Sequence, residues 1–246
     1  SLNHPERVTA ETRDRVLDAI ATLGFVPNQQ ARVLTGAPSS TIGLVIVDLT
    51  SPFFMELAHA VEQAASDAGH VVILTTSENE RSRESQRLQV LAAQRVVGAL
   101  VTPSGGGRPD READAGVPLV LIDYESPEHP CSVVVDHVAG GRQAAKHLID
   151  LGHRHIGLLN ESLRFTFAAH RSRGWRRALT ARGLAAPVEL EGGARMTEEN
   201  GYRMARGLFE LPDPPTALLC SSIFLALGAM RAARETGRVV GKNLSL

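Results

Sequence analysis

Carboxylate, hydroxyl and aromatic side chains cluster where a long apolar run ends. Asp48, Ser51, Phe53 and Phe54 lie at or just beyond the end of "TIGLVIVDL" at 41–49. The carboxylate and the hydroxyl can hydrogen-bond a polar ligand, and the rings can pack against an apolar one. Ser51 can instead cap the helix that follows, and one phenylalanine can belong to the core. We expect the other phenylalanine to face a ligand.

A second carboxylate ends another apolar run. Asp123 closes "PLVLID" at 118–123. Parallel α/β sheets bind ligands outside the carboxyl ends of their strands. Asp123 is therefore a candidate for the same site as the residues around Asp48.

The sequence does not carry the usual motifs of nucleotide-binding or hydrolytic enzymes. No G-x-G-x-x-G opens a helix after the first apolar run, and neither a P-loop nor a G-x-S-x-G elbow occurs. We interpret the glycine-rich stretch at 104–110 as a surface loop, with phosphate binding as the alternative. "HRH" at 153–155 has no further Cys or His close by, so we predict that His153 and His155 cap the preceding helix and enter the next strand, rather than bind a metal. We predict no enzymatic activity, no cofactor and no metal.

Composition favours a soluble protein of the cytoplasm. The 246 residues are 43% hydrophobic and carry a formal net charge of −1, which gives no hint of a nucleic-acid surface. Cys131 and Cys220 are far apart in sequence, so reduced thiols are the simplest interpretation. No apolar run reaches the roughly 18–20 residues that span a bilayer, so no membrane partner is expected.

Apolar runs that alternate with amphipathic segments predict an α/β fold. The runs are continuous, as in parallel strands buried on both faces. A helix is predicted from Ser51 at its N-cap and Pro52 at N1 to Gly69. Two doubly wound units, divided near 136–141, account for the pattern better than one large sheet. The predicted strands are 41–49, 70–76, 98–102, 118–123, 132–136, 155–159, about 187–190 and 217–221, with "GKNLSL" opening another.

The first 40 residues have a different pattern. "VTAETRDRVLDAIATLGF" predicts one helix, with Thr9 as its N-cap and Gly24 at its end. Such a helix cannot bury a core alone. "NQQARVLTG", which begins at residue 28, is too short for a stable isolated helix. It is either a linker or a segment that becomes helical on a partner.

Five stretches, in the right order, resemble the lactose/galactose repressor (LacI/GalR) family of bacterial transcription regulators. They begin with "SLNHPERVTAETRDRVLDAIATLGFVPNQQARVLTG" and "TIGLVIVDLTSPFF". They continue with "VDHVAGGRQAAKHLIDLGHRHIGLL", "RSRGWRRAL" and "ALLCSSIFLALGAMRAARETG". The resemblance covers essentially the whole chain. It implies a helix-turn-helix head, a hinge helix and a core of two subdomains like those of periplasmic binding proteins.

The resemblance assigns domains along the chain. Residues 1–27 would be the remnant of the helix-turn-helix head, and 28–40 the hinge helix and linker. Residues 41–138 and 139–246 would be the N-terminal subdomain and an incomplete C-terminal subdomain. By the same resemblance, most of the recognition helix would precede the chain.

The resemblance also implies DNA contacts by the hinge. Dimers of the family bind palindromic operators, and their hinge helices fold in the minor groove. Leu34 matches the family's leucine that wedges between base pairs, although it could instead anchor a linker on the core. Asn28 and Ala31 match positions that start the hinge helix and face the groove, and Arg32 would lie near phosphates.

Effector contacts are implied in the cleft between the subdomains. Asp123 and Arg171 match family positions that touch the effector, although Arg171 could instead form a salt bridge on a helix surface. Trp175 is predicted to be core. Ser222 and Ile223 stand where sugar-responsive members commonly carry Asn-Asp.

Phe165 and Phe167 occupy a stretch that often supplies polar contacts. These departures favour an effector less polar than a free hexose. A site that binds nothing remains an alternative for the cleft. For the whole protein, the alternative is a periplasmic-type sugar-binding protein of a transport system, which would carry a secretion signal and no helix and hinge.

Overall fold

The computed structural model describes residues 9–24, 39–106, 116–124 and 131–246. Two parallel sheets, each with helices packed beside it, form the described part of the chain from residue 39 onward. Within the described residues, no helix is long and apolar enough to cross a membrane. The two-unit parallel α/β fold predicted from the sequence is confirmed.

Helix α1, Ala10–Leu23, is bounded by local caps. The Thr9 hydroxyl accepts a hydrogen bond from the backbone N–H of Thr12, and Gly24 ends the helix with a left-handed φ of 59°. Both caps agree with the sequence prediction. None of the helix residues is buried within the described part of the chain. Among the described residues, the interactions that define its ends are therefore the two caps.

The first sheet has five parallel strands in the order β2-β1-β3-β4-β5. Helices α2 and α3 follow β1 and β2 and pack on opposite faces, because Leu44 and Ile46 contact α2 whereas Val45 contacts α3. Burial of both faces explains why the β1 run is continuously apolar. The elements are β1 Thr41–Ile46, α2 Pro52–Asp67, β2 Val71–Thr76, α3 Arg81–Ala93, β3 Gly98–Val101, β4 Leu119–Ile122 and β5 Ser132–Val133.

The second sheet has three parallel strands in the order β7-β6-β8. Trp175 is fully buried in its core, as predicted. Ser245 pairs in parallel with Ala217 in an isolated bridge beside β8, within the segment that the sequence predicted to open another strand. The elements are α4 His137–Asp150, β6 Ile156–Asn160, α5 Thr166–Thr180, β7 Glu191–Gly193, α6 Glu198–Phe209, β8 Ala217–Cys220 and α7 Ile223–Glu235.

Three predicted strands differ from the structure by more than one residue. The strand predicted at 41–49 ends at Ile46, because Asp48 already lies in the turn before α2. Residues 187–190 are not a strand, because Val188–Leu190 forms a 3-10 turn and the strand is the adjacent Glu191–Gly193. The strand is short and carries two glycines, so apolar patterning did not reveal it. The strand predicted at 132–136 stops at Val133, because β5 is an edge strand and Asp136 already caps α4 by accepting from Ala139 N–H at 2.8 Å.

The two cysteines are free thiols, as predicted. Cys131 is exposed, whereas burial raises the pKa of Cys220 to about 12. Because the thiolate is the reactive form, Cys220 is a packing residue at neutral pH.

Helices α4 and α5 approach each other through two glycines. A Cβ on Gly141 would lie 2.4 Å from the Arg171 carbonyl oxygen, and one on Gly174 would lie 2.2 Å from that of Val138. These atoms belong to rigid helix backbones and cannot move aside. The absence of side chains therefore sets the distance between the first turn of α4 and the middle of α5.

Gly141→Ala should destabilise the fold by about 1–3 kcal/mol, because the added methyl group forces the two helices apart. Gly140→Ala is the matched control, since a Cβ there meets nothing within 4 Å. It should be neutral or stabilise by up to about 1 kcal/mol, as alanine replaces glycine in a helix. Urea unfolding followed by circular dichroism measures both. Equal stability of the two variants would contradict the packing explanation.

Candidate ligand-binding site

A cavity of about 470 Å³ lies where the carboxyl ends of strands from both sheets meet. This volume is within the range of small-molecule sites. Residues from the first sheet form one wall, and residues from the second sheet form the other. The lining residues are Val47, Ser51, Pro52, Phe53, Phe54, Glu56, Thr102, Pro103, Ile122, Asp123, Tyr124, Phe165, Thr166, Phe167, Arg171, Met196, Ser221, Ser222 and Ile223.

Seven of the eight candidate ligand contacts from the sequence lie in this lining. Asp48 is the exception. Its Oδ1 accepts hydrogen bonds from the N–H groups of Thr50 at 2.7 Å and Ser51 at 2.9 Å. The structure therefore places Asp48 in the turn between β1 and α2 rather than in the cavity wall. A carboxylate just before a helix start is satisfied by the free N–H groups there.

Ser51 has the N-cap position of α2, and Pro52 follows in the first turn, as predicted. However, the Ser51 side chain makes no capping hydrogen bond. Asp48 satisfies the Ser51 N–H instead. Ser51 is therefore the N-cap residue by position, and its hydroxyl makes no capping bond and lies at the cavity lining.

Phe53 and Phe54 both line the cavity, with ring centroids 5.2 Å apart in an edge-to-face arrangement. Phe54 also packs against the core of the first sheet, and Phe53 is 52% exposed. The sequence predicted one phenylalanine in the core and one toward the ligand. Phe54 in fact does both, because it lies at the boundary between core and cavity.

The opposite wall has two further phenylalanines and a cation on α5. Phe165 is buried, and its ring centroid lies 5.6 Å from that of Phe167. The Arg171 guanidinium carbon lies 5.1 Å from the Phe167 centroid, which is within cation–π range. The wall therefore offers apolar rings beside one positive charge.

A chain of hydrogen bonds joins the two walls. His137 Nε2 lies 2.6 Å from Asp123 Oδ1, and Arg171 Nε donates to His137 Nδ1 at 3.3 Å. Arg171 also donates from Nη1 to the Ser221 carbonyl oxygen at 3.2 Å. We call the first three residues the Asp123–His137–Arg171 bridge. The sequence did not single out His137, because its only local signal is that it opens a helix.

Burial lowers the pKa of Arg171 from its usual value, and the nearby charge of Asp123 opposes that shift. A guanidinium stays protonated even so. Arg171 is therefore a partly desolvated cation, and its interaction with an anion is less screened there than at the surface.

Ser221 and Ser222, which follow β8, have different roles. The Ser222 hydroxyl accepts from Leu225 N–H at 3.3 Å and so caps α7. The Ser221 hydroxyl is buried and has no hydrogen-bond partner among the described residues, although Ser221 lines the cavity. The sequence pointed to Ser222, but the group left for a ligand is on Ser221. Only the helix start, one residue beyond the pair, distinguishes them.

Comparison with known proteins matches residues 39–244 to the family described as periplasmic binding proteins and sugar binding domain of the LacI family. The repressor PurR of Mannheimia succiniciproducens is 32% identical over all of this chain and 75% of its own length. The regulator AglR of Rhizobium meliloti is 33% identical over all of this chain and 71% of its own. Both relatives are named as helix-turn-helix-type transcriptional proteins.

The chain belongs to the LacI family. The Lac repressor dimer bound to operator and the anti-inducer ONPF is a structural relative, with a TM-score of 0.82 at 29% identity. It aligns with 97% of this chain and 73% of its own. Because the regulators match over the whole chain and not only over the sugar-binding domain, the chain is a ligand-responsive transcriptional regulator. The alternative of a transport protein is not supported.

The four residues predicted to contact DNA, Asn28, Ala31, Arg32 and Leu34, lie outside the described residues. The same is true of most of the hinge and linker predicted at 28–40. Their roles as LacI-family hinge residues therefore stay predictions.

Ser222→Ala should destabilise the protein by about 1 kcal/mol, because it removes the N-cap of α7. Ser221→Ala is the matched control and should be neutral or slightly stabilising, since it removes a buried hydroxyl with no partner in the described part of the chain. Chemical unfolding without added ligand measures the difference. The assignment of roles would be wrong if Ser221→Ala were the more damaging change.

Proposed function

We propose that this LacI-family regulator binds its operator as a homodimer and that a small effector in the described cavity controls that binding. The observation that carries the proposal is the composition of the cavity, which places one desolvated cation beside four phenylalanines. The regulator acts on DNA, so we assign it to the cytoplasm and assign it no catalytic activity. A two-fold dimer would present two identical heads to a palindrome.

The proposed effector has an apolar body and one anionic or hydroxylated end. Phe53, Phe54, Phe165 and Phe167 would cover the body. Arg171 would hold the polar end through the two hydrogens of Nη2, which has no partner among the described residues. A hexose presents hydroxyls on every side and would leave several of them facing rings, which is unfavourable for buried polar groups.

The hinge would couple the cavity to DNA. Asn28 and Ala31 would start the hinge helix and face the minor groove. Arg32 would lie near phosphates, and Leu34 would open a base step. The free-energy cost of opening that base step is offset by the additional protein contacts that the bent duplex allows. Effector binding would change the relative orientation of the two subdomains and thereby favour or disfavour the paired hinges.

A thermal-shift screen of the full-length protein tests the effector class. Benzoate, hypoxanthine and glucose represent an aromatic anion, a nucleobase and a hexose. A ligand at a hundred times its Kd should raise Tm by about 5–10 °C. We expect benzoate or hypoxanthine to do so. Stabilisation by glucose alone would contradict the proposed class.

Arg171→Met should weaken binding of the aromatic anion by about tenfold or more, because a charge-assisted hydrogen bond is lost. Arg173→Met is the control, since Arg173 lies on the same helix, is exposed and does not line the cavity. Titration calorimetry gives both affinities. Equal loss in the two variants would mean that net charge rather than contact attracts the anion.

Leu34→Ala should reduce the operator affinity of the full-length dimer by at least about tenfold, because the variant can no longer open the base step. Leu163→Ala is the control, since Leu163 is an exposed leucine that does not line the cavity. The operator is first obtained by binding-site selection, and gel-shift titration then measures Kd. Unchanged affinity of Leu34→Ala would favour the linker-anchor interpretation. Effector stabilisation should be the same in both variants.

A further inference from the structure

His137 connects the two walls of the cavity without lining it. Asp123 follows β4 in the first sheet, His137 opens α4, and Arg171 lies in the middle of α5. The imidazole is buried and makes one hydrogen bond toward each wall. The Gly141 and Gly174 contacts bring α4 and α5 close enough for the second of these bonds.

The partners of His137 define its tautomer. An arginine Nε always carries a hydrogen and can only donate, so His137 Nδ1 must be the acceptor. His137 Nε2 then carries the single ring hydrogen and donates it to the Asp123 carboxylate. A doubly protonated ring would suit Asp123, but its Nδ1–H would face the Nε–H of Arg171. The bridge therefore requires the neutral Nε2–H form.

The bridge restricts Arg171. Nε is bound to His137 and Nη1 to the Ser221 carbonyl oxygen, while the guanidinium lies over the Phe167 ring. Two hydrogen bonds and one ring contact fix a planar group in one orientation. Nη2 is then the nitrogen left for a ligand among the described contacts.

The bridge also restricts Asp123. This residue has a left-handed φ of 59°, which is unfavourable for a residue with a Cβ. Its N–H donates to the Val133 carbonyl oxygen at 2.8 Å, and its Oδ1 accepts from His137. These bonds hold the strained turn and leave Oδ2 without a hydrogen bond among the described residues.

We propose that His137 is a positioning residue of the effector site, which, as the neutral Nε2–H tautomer, aims Arg171 Nη2 and Asp123 Oδ2 at one ligand group. This proposal rests on the proposed function in that the cavity holds an effector. The group it favours has an oxygen to accept from Arg171 beside a hydrogen to donate to Asp123. A carboxylate that carries a neighbouring hydroxyl, as in salicylate, meets both requirements.

Two isosteric variants separate the two bonds. His137→Asn places an amide oxygen near the position of Nδ1 and so keeps an acceptor for Arg171. His137→Gln places an amide nitrogen near the position of Nε2 and so keeps a donor for Asp123. If His137 served only to fill space, the two variants would have similar Arg171 Nε–H exchange rates and similar ligand affinities.

Nitrogen-15 NMR of the full-length protein without ligand tests the bridge. In the wild type, we expect His137 to show an unprotonated Nδ1 and a slowly exchanging Arg171 Nε–H. His137→Asn should keep that slow exchange, whereas His137→Gln should raise the exchange rate by about tenfold, as expected for one lost charge-assisted hydrogen bond. An Nδ1–H tautomer, an imidazolium, or equal exchange in the two variants would overturn the proposal.

Binding of salicylate and benzoate then tests whether the bridge orients Arg171 Nη2 and Asp123 Oδ2 toward the same ligand group. The wild type should bind salicylate more tightly than benzoate, and His137→Gln should lose about tenfold in affinity for both because Arg171 is released. His137→Asn should lose only the preference for salicylate. Equal affinities of the two variants for both ligands would overturn the positioning role. If the wild type binds neither ligand, the proposed effector class fails, while the NMR result still decides the bridge.

Discussion

Burial of both faces of the central strands of each parallel sheet is the constraint on which the rest of this structure depends. Leu44 and Ile46 contact one covering helix while Val45 contacts the other, so the interior of β1 has no place for an unpaired polar group. The polar side chains that line the cavity accordingly lie after the strands or on the helices, not within a strand. Because all the strands of a parallel sheet end at one edge, those residues gather there, and two such edges enclose the cavity.

Some polar groups at these edges already make hydrogen bonds within the fold and are therefore not available to a ligand. Asp48 satisfies the start of α2, and Ser222 satisfies the start of α7. Each helix that begins at a sheet edge has unpaired backbone N–H groups in its first turn. A nearby side-chain oxygen accepts a hydrogen bond from them unless it points away from the helix. Among the described residues, what remains for a ligand includes the Ser51 and Ser221 hydroxyls, one edge of Arg171 and one oxygen of Asp123. These few groups lie beside four phenylalanines, which suits a ligand that is mostly apolar.

The sequence was sufficient for the parts of the fold that depend on local pattern. Seven strands, the helix starting at Pro52 and the burial of Trp175 follow from apolar runs and caps. The short β7, Glu191–Gly193, could not be predicted because its residues carry no apolar signal. Seven of the eight candidate contacts lie in the cavity lining. They could be predicted because the residues that follow parallel strands come together at one edge of a sheet. The roles of Asp48, Ser221 and His137 depend on which atoms their side chains face in the folded structure. The spacing of residues in the sequence does not reveal those partners.

The distribution of contacts over two walls has a consequence for signalling. A ligand shifts a conformational equilibrium only by the difference in its affinity for the two states. A ligand held by Arg171 alone would move with the second sheet and would bind open and closed arrangements about equally. A ligand that also contacts Asp123 or Phe54 loses contacts when the walls separate. The bridge through His137 already favours one arrangement without a ligand, so the proposed effector has to add to or replace that preference. The side of the cavity that an effector touches therefore matters as much as how tightly it binds.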